Sequence, residues 1–436
     1  MLSQDQTTAR IGHANQAADM VRVGAVHRNI YLDPDLYRQE MKDIFEQTWV
    51  YIGHESEIAN AGDFKTTTIG TSPIILCRDE DGKVHVLMNR CRHRGATVCQ
   101  DDAGNTNAFR CEYHAWVYGI DGGLRGVPYP SRYGADFDKS KLGLMPAARV
   151  GSYRGFVFAS LAQDGQELTD YLGKACQYLD LFVDASPEGA IEAKHGAHKY
   201  YYEANWKFQL ENSLDGYHPY FVHRSFFDLQ DKRTDSKSTI FSDKSTAVAM
   251  ELGNGHAVLD QRNIMNQTNT YFHRVKMAPG GPELIQKLEN ERGEAEARRI
   301  LNSIGGNGFN LAIFPNLVII GVQIRVIRPV SVGMTHVDVF PTTCVGVPDP
   351  INDMRLRTHE AFFGPAGFGA PDDLEIFERA QAGIQAEPVE WLLLNRGLEK
   401  ETYEDGLAVG QITDETPQRA MYKEWFRLMV GSPGCG

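Results

Sequence analysis

Two cysteine–histidine pairs stand close together in the first third of the sequence, Cys91-Arg-His93 and Cys111-Glu-Tyr-His114. Two thiolates and two imidazoles on a pair of loops can close four ligands around metal. A two-iron, two-sulfide cluster takes this set with both Cys on one iron and both His on the other, whereas zinc takes the same donors as a tetrahedral S2N2 site. Each half pairs a Cys with a His, while a zinc finger more often brings a Cys pair and then a His pair. That favours the cluster, with zinc as its rival. Gly95, Gly119, Gly122 and Gly123 lie near these ligands and are expected to permit the close backbone approach by which N–H groups reach bridging sulfides.

A second constellation lies in NWKFQLENSLDGYHPYFVH, residues 205–223. Asn205 can cap a helix on which Trp206, Leu210, Leu214 and Tyr217 share one face and Asn212 and Asp215 another. Asp215 and His218 are one turn apart. His223 does not fit that helix, but Pro219 disfavours helical geometry at His218 and predicts a bend that lets both imidazoles converge. Two neutral histidines and a carboxylate on one face of an iron leave positions open for O2 and substrate. The carboxylate is expected from FFGPAGFGAPDDLEIFERAQ (362–381), where Pro371-Asp372-Asp373 opens a helix and a first-turn acid sits at the positive end of the dipole. Asp373 is the best candidate. Alone, each acid reads as a helix cap and the His pair as core or surface. The upstream cluster reverses that weighting, because it has little use in a large chain without a redox partner.

These residues need elements to hold them. Leu36, Met41, Ile44, Phe45 and Trp49 predict an amphipathic helix over 36–50. From about Phe64 to Ser160, short β-rich runs (KTTTIG, PIILCRD, KVHVLMN, GFVFAS) alternate with DEDG, DDAGN and GIDGG turns, the pattern of a small all-β domain. Helical periodicity then appears at 166–183, 205–218, 282–303 and 372–396, and strand-like runs at 311–327 and 333–346. The expected fold is therefore α+β. An all-β domain (51–162) is inserted between an N-terminal helical segment (1–50) and a larger domain (163–436), whose antiparallel sheet is flanked by helices.

The segments CRHRGATVC (91–99) and CEYHAWVYGIDGGL (111–124) resemble the Rieske domain of ring-hydroxylating oxygenase α subunits. D-x-x-H-x4-H at 215–223, followed by the late Asp, resembles the catalytic domain of the same family, in which the larger domain is of helix-grip type. The agreement runs from about Tyr31 to Gln381. The resemblance implies a [2Fe–2S] Rieske cluster on Cys91, His93, Cys111 and His114, and a mononuclear Fe(II) on His218, His223 and Asp373. FFGPAGF followed by two Asp is similar to the naphthalene-dioxygenase type, in which the second Asp ligates. Asp215 matches an aspartate that joins the Rieske His of one subunit to an iron-bound His of its neighbour, and Asn212 an asparagine beside the iron. That bridge implies a ring of subunits, a homotrimer or an α3β3 assembly with a small β subunit.

By the same resemblance the chain is a terminal oxygenase that hydroxylates an aromatic ring with O2 and electrons from NAD(P)H, delivered by a reductase or a ferredoxin. Residues 27–64 are most similar to members acting on aromatic carboxylates of the salicylate, anthranilate, halobenzoate or terephthalate type. A carboxylate needs a cation in an otherwise apolar pocket. In VIIGVQIRVIRP, Arg328 before Pro329 looks structural, which leaves Arg325 as the candidate anchor, with a surface salt bridge as the competing reading. Arg90, Arg92, Arg94 and Arg110 near the cluster motif offer a dock for an acidic carrier, with solvated loop charge as the equal competing reading.

The bulk numbers agree. A formal charge of −13 over 436 residues argues against nucleic acid and membrane surfaces as partners. Seven scattered cysteines and a polar start without an apolar core fit a cytoplasmic protein. Cys77, Cys99, Cys176, Cys344 and Cys435 lack partners at ligand spacing and read as plain thiols. The competing classes are a non-catalytic Rieske electron carrier, a zinc-ribbon protein, and, within oxygenases, monohydroxylation or demethylation.

Overall fold

The structure, a computed structural model, describes residues 17–234, 239–264 and 270–431; the readings of Cys435 and of residues 1–16 lie outside the described residues. The chain folds as two compact units, one spanning Phe45–Leu168 and the other built from the stretches on either side. The inner unit thus begins and ends several residues outside the expected 51–162. No helix among the described residues is long and apolar enough to cross a membrane.

The predicted helix over 36–50 forms earlier and stops sooner. Asp33 accepts hydrogen bonds from the backbone N–H of Asp35 and Leu36, Pro34 opens the first turn, and α1 runs Pro34–Glu40 into a π turn, Met41–Phe45. The next buried run is a strand, β1 (Val50–His54).

The inner unit is all β. It continues with β2 (Asp63–Ile69), β3 (Ser72–Arg78), β4 (Val84–Met88), β5 (Ala103–Asn105), β6 (Ala108–Arg110), β7 (Val117–Gly119), β8 (Leu124–Gly126), β9 (Arg149–Tyr153) and β10 (Phe156–Ser160). They form three antiparallel sheets, in the orders β9-β10-β1, β4-β3-β2-β5 and β8-β7-β6. The core beneath them gathers Phe64, Ile75, Leu87, Phe109, Trp116 and Tyr118 around Cys91 and Cys111.

The outer unit carries a nine-stranded antiparallel sheet. Its elements are β11 (His198–Tyr202), α2 (Lys207–Ser213), α3 (Pro219–Val222), α4 (Arg224–Thr234), β12 (Val248–Gly253), β13 (His256–Asp260), α5 (Gly281–Arg292), α6 (Glu294–Ser303), β14 (Phe309–Ile313), β15 (Leu317–Ile320), β16 (Gln323–Ser331), β17 (Met334–Pro341), α7 (Asp349–Phe363), α8 (Ala370–Gly383), β18 (Thr402–Glu404), β19 (Leu407–Gln411) and α9 (Thr416–Val430). The strand order is β11-β17-β16-β15-β14-β13-β12-β19-β18. Near-continuous burial along β13 to β15 marks its centre, and α9 packs against β12 and β13.

Three expected boundaries move. The run 282–303 is two helices, because Gly293 at φ +83 turns the chain between α5 and α6. The run 311–327 is three strands, and the helical pattern from 372 ends at Gly383.

Candidate iron sites

In the inner unit the two ligand loops are built alike. The Cys91 N–H donates to the Ala96 carbonyl and the Gly95 N–H to that of Cys91; likewise the Cys111 N–H donates to Trp116 and the Ala115 N–H to Cys111. Gly95 stands at φ +78 and Ala115, its counterpart, at φ +54, a conformation that costs an L residue on the order of 1 kcal/mol. Of the four glycines singled out in the sequence, Gly95 alone lies within a ligand loop. Gly119, Gly122 and Gly123 instead build the β7–β8 hairpin, where the Gly119 N–H donates to Gly123 and the Gly122 N–H to Gly119.

Both thiols are buried, and they meet: burial first, then the hydrogen bond to Cys91, pushes the Cys111 thiol up. Tyr118 Oη accepts from the Arg92 N–H at 3.0 Å and lies 3.2 Å from Cys91 Sγ. The imidazoles of His93 and His114 sit 4.5 Å apart, centroid to centroid, and Trp116 stacks on His93. His93 Nδ1 is buried with no hydrogen-bond partner. Thiols thus face thiols and imidazoles face imidazoles, yet no three of the four donors come within 4.8 Å of one another. Tetrahedral zinc needs all four that close; a two-iron cluster needs two pairs set apart, and the residues fit the cluster. Arg90, Arg92, Arg94 and Arg110 are all exposed around it.

In the outer unit, helix α2 starts at Lys207, with the Asn205 side chain accepting from its N–H, and ends at Ser213 rather than continuing to 218. The chain then turns through Gly216, packed so tightly that an added Cβ would lie 2.1 Å from the Ile412 carbonyl oxygen. The bend predicted at Pro219 comes before it: His218 keeps helical φ and ψ, and Pro219 begins the one-turn α3. His218 and His223 flank that turn, with centroids 5.3 Å apart.

Asp373 comes to meet them from the first turn of α8. Its Oδ1 lies 3.6 Å from His218 Nε2 and 3.2 Å from His223 Nε2. Asp372 stands elsewhere, half-buried, 3.7 Å from His223 Nδ1. His218 Nδ1 in turn faces Asp215 at 3.4 Å. Burial works to lower the His218 pKa, but the hydrogen bond and charge of Asp215, and then Asp373, outweigh it and leave it raised. Asn212 Nδ2 donates to Asp373 Oδ1 at 3.1 Å and lies 3.3 Å from His218 Nε2. Two imidazoles and one buried carboxylate converging on one point, with a cavity on the other side, fit an iron with open positions.

That cavity holds about 360 Å³ and is lined by the triad, by Phe226, Phe309, Phe362 and Phe363, and by Arg325 and His359. Arg325, on β16, is 2% exposed. Its guanidinium lies 3.0 and 3.2 Å from the Gln323 side-chain amide, which accepts from it with the oxygen turned toward the cation, and 4.9 Å from the Phe363 ring centroid. Nearby Arg355 is fully buried and donates to Thr342 and Ile304 oxygens. Among the described residues no carboxylate pairs with either cation. The salt bridge considered for Arg325 belongs instead to Arg328, whose Nε lies 3.0 Å from Asp338.

Sequence reasoning passed over Arg355 and His359. The available signal was their register: with Ile351 they follow one another at four-residue steps on α7, on the buried stripe of that helix, where a polar residue has to be satisfied by something.

Residues 48–149 match the Rieske [2Fe–2S] domain, and residues 191–431 match the ring hydroxylating alpha subunit (catalytic domain). The anthranilate 1,2-dioxygenase large subunit of Acinetobacter baylyi is 37% identical over 87% of this chain and 81% of its own. The 2-halobenzoate 1,2-dioxygenase large subunit of Burkholderia cepacia is 34% identical over 85% and 79%. Among solved structures, naphthalene 1,2-dioxygenase with indole bound superposes with a TM-score of 0.78 at 27% identity, covering 94% of this chain and 93% of that one.

Proposed function

Since the chain belongs to the ring-hydroxylating α-subunit family, with a Rieske [2Fe–2S] domain and a mononuclear iron domain in one polypeptide, we propose that its substrate is an aromatic carboxylate held by Arg325. The observation that carries this reading is the buried guanidinium on the wall of the cavity that also holds His218, His223 and Asp373, without a carboxylate of its own. Leaving such a charge uncompensated in an apolar site is costly, and an anionic substrate removes the cost. Relatives named for anthranilate, 2-halobenzoate and toluate support the same class.

Bound at these residues, the cluster supplies electrons and the mononuclear iron supplies O2 activation. The chain does the rest. Arg325 meets the carboxylate and fixes which ring edge faces the triad, while the phenylalanine wall packs the ring and keeps water out. Asp215 stands behind the His218 Nδ1 and keeps that ring's Nε2 lone pair turned inward. Asn212 holds the Asp373 carboxylate. Asp215 also serves as the bridge to the cluster of a neighbouring subunit in a trimeric ring, with or without a small β subunit. Electrons enter from NAD(P)H through a reductase or ferredoxin that docks at the exposed arginines.

The test is product analysis with a panel of benzoates and a surrogate reductase. Arg325→Met is expected to lower kcat/KM for the preferred acid by about 100-fold or more, and to change turnover of an uncharged ring little. Equal activity of the variant on the acid would remove Arg325 from the site.

A further inference from the structure

One polar group on the cavity wall has no role in that scheme. His359 is 4% exposed, and both of its ring nitrogens are buried without a hydrogen-bond partner. An imidazole brings at least one N–H into the interior, and a buried donor left unmade is unfavourable unless a ligand completes it. Burial first, and then the charge of Arg325, push the His359 pKa down to about 3. The ring is therefore neutral near pH 7, with one N–H and one lone pair.

The composition around it suggests another use at first sight. Donor atoms of His198, His359 and Glu360 fall within 4.8 Å of one another, a set that suits a metal ion. Charge works against that use. His198 Nε2 and Glu360 Oε1 already engage each other at 2.6 Å, and a dication at His359 would face the guanidiniums of Arg325 and Arg355, whose charges both act on this ring. A wall that repels cations and offers a free N–H is built for an anion.

We propose that His359 is a substrate-binding residue whose imidazole N–H donates to the carboxylate met by Arg325, so that guanidinium and imidazole share the two oxygens of the acid. This rests on the reading of the substrate as an aromatic carboxylate. It makes α7 a recognition element: Arg355 supplies positive potential, His359 a directed donor, and Phe363 the ring surface beneath Arg325. Two separate donors fix the carboxylate plane, and with it the rotation of the attached ring, which a single cation leaves open.

The test is calorimetric binding to the reduced, iron-loaded enzyme without O2, using benzoate, 2-hydroxybenzoate, 2-aminobenzoate and toluene. His359→Leu is expected to weaken the tightest-binding acid by about tenfold or more and to leave toluene within about twofold. His359→Gln, which restores an N–H donor, is expected to recover most of the loss. Unaltered iron content and visible spectrum identify variants that are folded. If the wild-type enzyme prefers the acids to toluene while His359→Leu binds them as tightly, the role of His359 is overturned and the substrate reading stands. If the wild-type enzyme binds toluene as well as it binds the acids, the substrate reading itself falls, and the proposal with it.

Discussion

Each triad imidazole has a carboxylate near its Nδ1, Asp215 at 3.4 Å from that of His218 and Asp372 at 3.7 Å from that of His223, so adjacent acids at 372 and 373 stand on different sides of the His223 ring. Asp373 faces the two Nε2 atoms, whereas Asp372 lies nearer the Nδ1 of His223. Asp215→Ala removes an orienting group and the proposed bridge while sparing every ligand. It is expected to retain both kinds of iron and to lose nearly all turnover; metal analysis and a coupled assay decide it, and full activity would refute the bridge. At this scale the sequence spoke through spacing. Asp215 and His218 at i and i+3, and Cys with His in each half-motif, were readable because their partners are local. Arg325 was readable only as one of two arginines, since a single sequence does not say which face of β16 turns toward a cavity made by other elements. His359 and Arg355 were hidden because α7 carries many other charged and polar residues, so nothing marked these two as the ones facing inward.

Among elements, α1, α2 and α9 are pinned by buried polar groups. Glu40 accepts from Trp206 Nε1 at 2.8 Å and Trp425 Nε1 at 2.7 Å and pairs with the fully buried Lys207 at 2.5 Å. Beside it, Glu211 accepts from Tyr31 and Tyr422 hydroxyls at 2.9 and 2.6 Å. Burial raises the Glu211 pKa to about 7, against the help of those hydroxyls. A carboxyl raised in the folded state stabilises fully below its unfolded value, and that contribution is lost as pH climbs through the folded one. The window here runs from about pH 4.5 to about pH 7, and the full effect is about 3 kcal/mol. Glu211→Gln, which stays neutral, is expected to flatten the fall in melting temperature between about pH 5 and about pH 8; an unchanged slope in thermal melts counts against it. Such pins also explain the misplaced helix ends. Periodicity located α1 and α2, but their limits follow from Asp33, from the turn at Gly216 and from partners far along the chain.

For the whole molecule, each iron site lies within its own compact unit, so the metals are expected to be lost separately. His223→Ala should bind less mononuclear iron and leave the visible absorption of the cluster intact, whereas Cys111→Ala should lose the colour. Parallel loss of both signals in His223→Ala, by iron counting and spectroscopy, would contradict the division. The α+β class and the β-rich insertion were legible from turn residues and alternation, because those signals are short-range. The order of the nine strands was not, since β12 pairs with β19 across more than half of the outer unit's sequence.

The clasp at Glu40 has a consequence for biosynthesis. An acid near the start waits for Lys207 and then for an indole on the last helix, Thr416–Val430. While the ribosome is still translating, the Rieske unit emerges as one continuous stretch, but the clasp around Glu40, half made once Trp206 and Lys207 arrive, stays open until Trp425 is translated. Synthesis order thus gives the inner unit its whole sequence well before the outer unit, whose clasp closes only when α9 arrives.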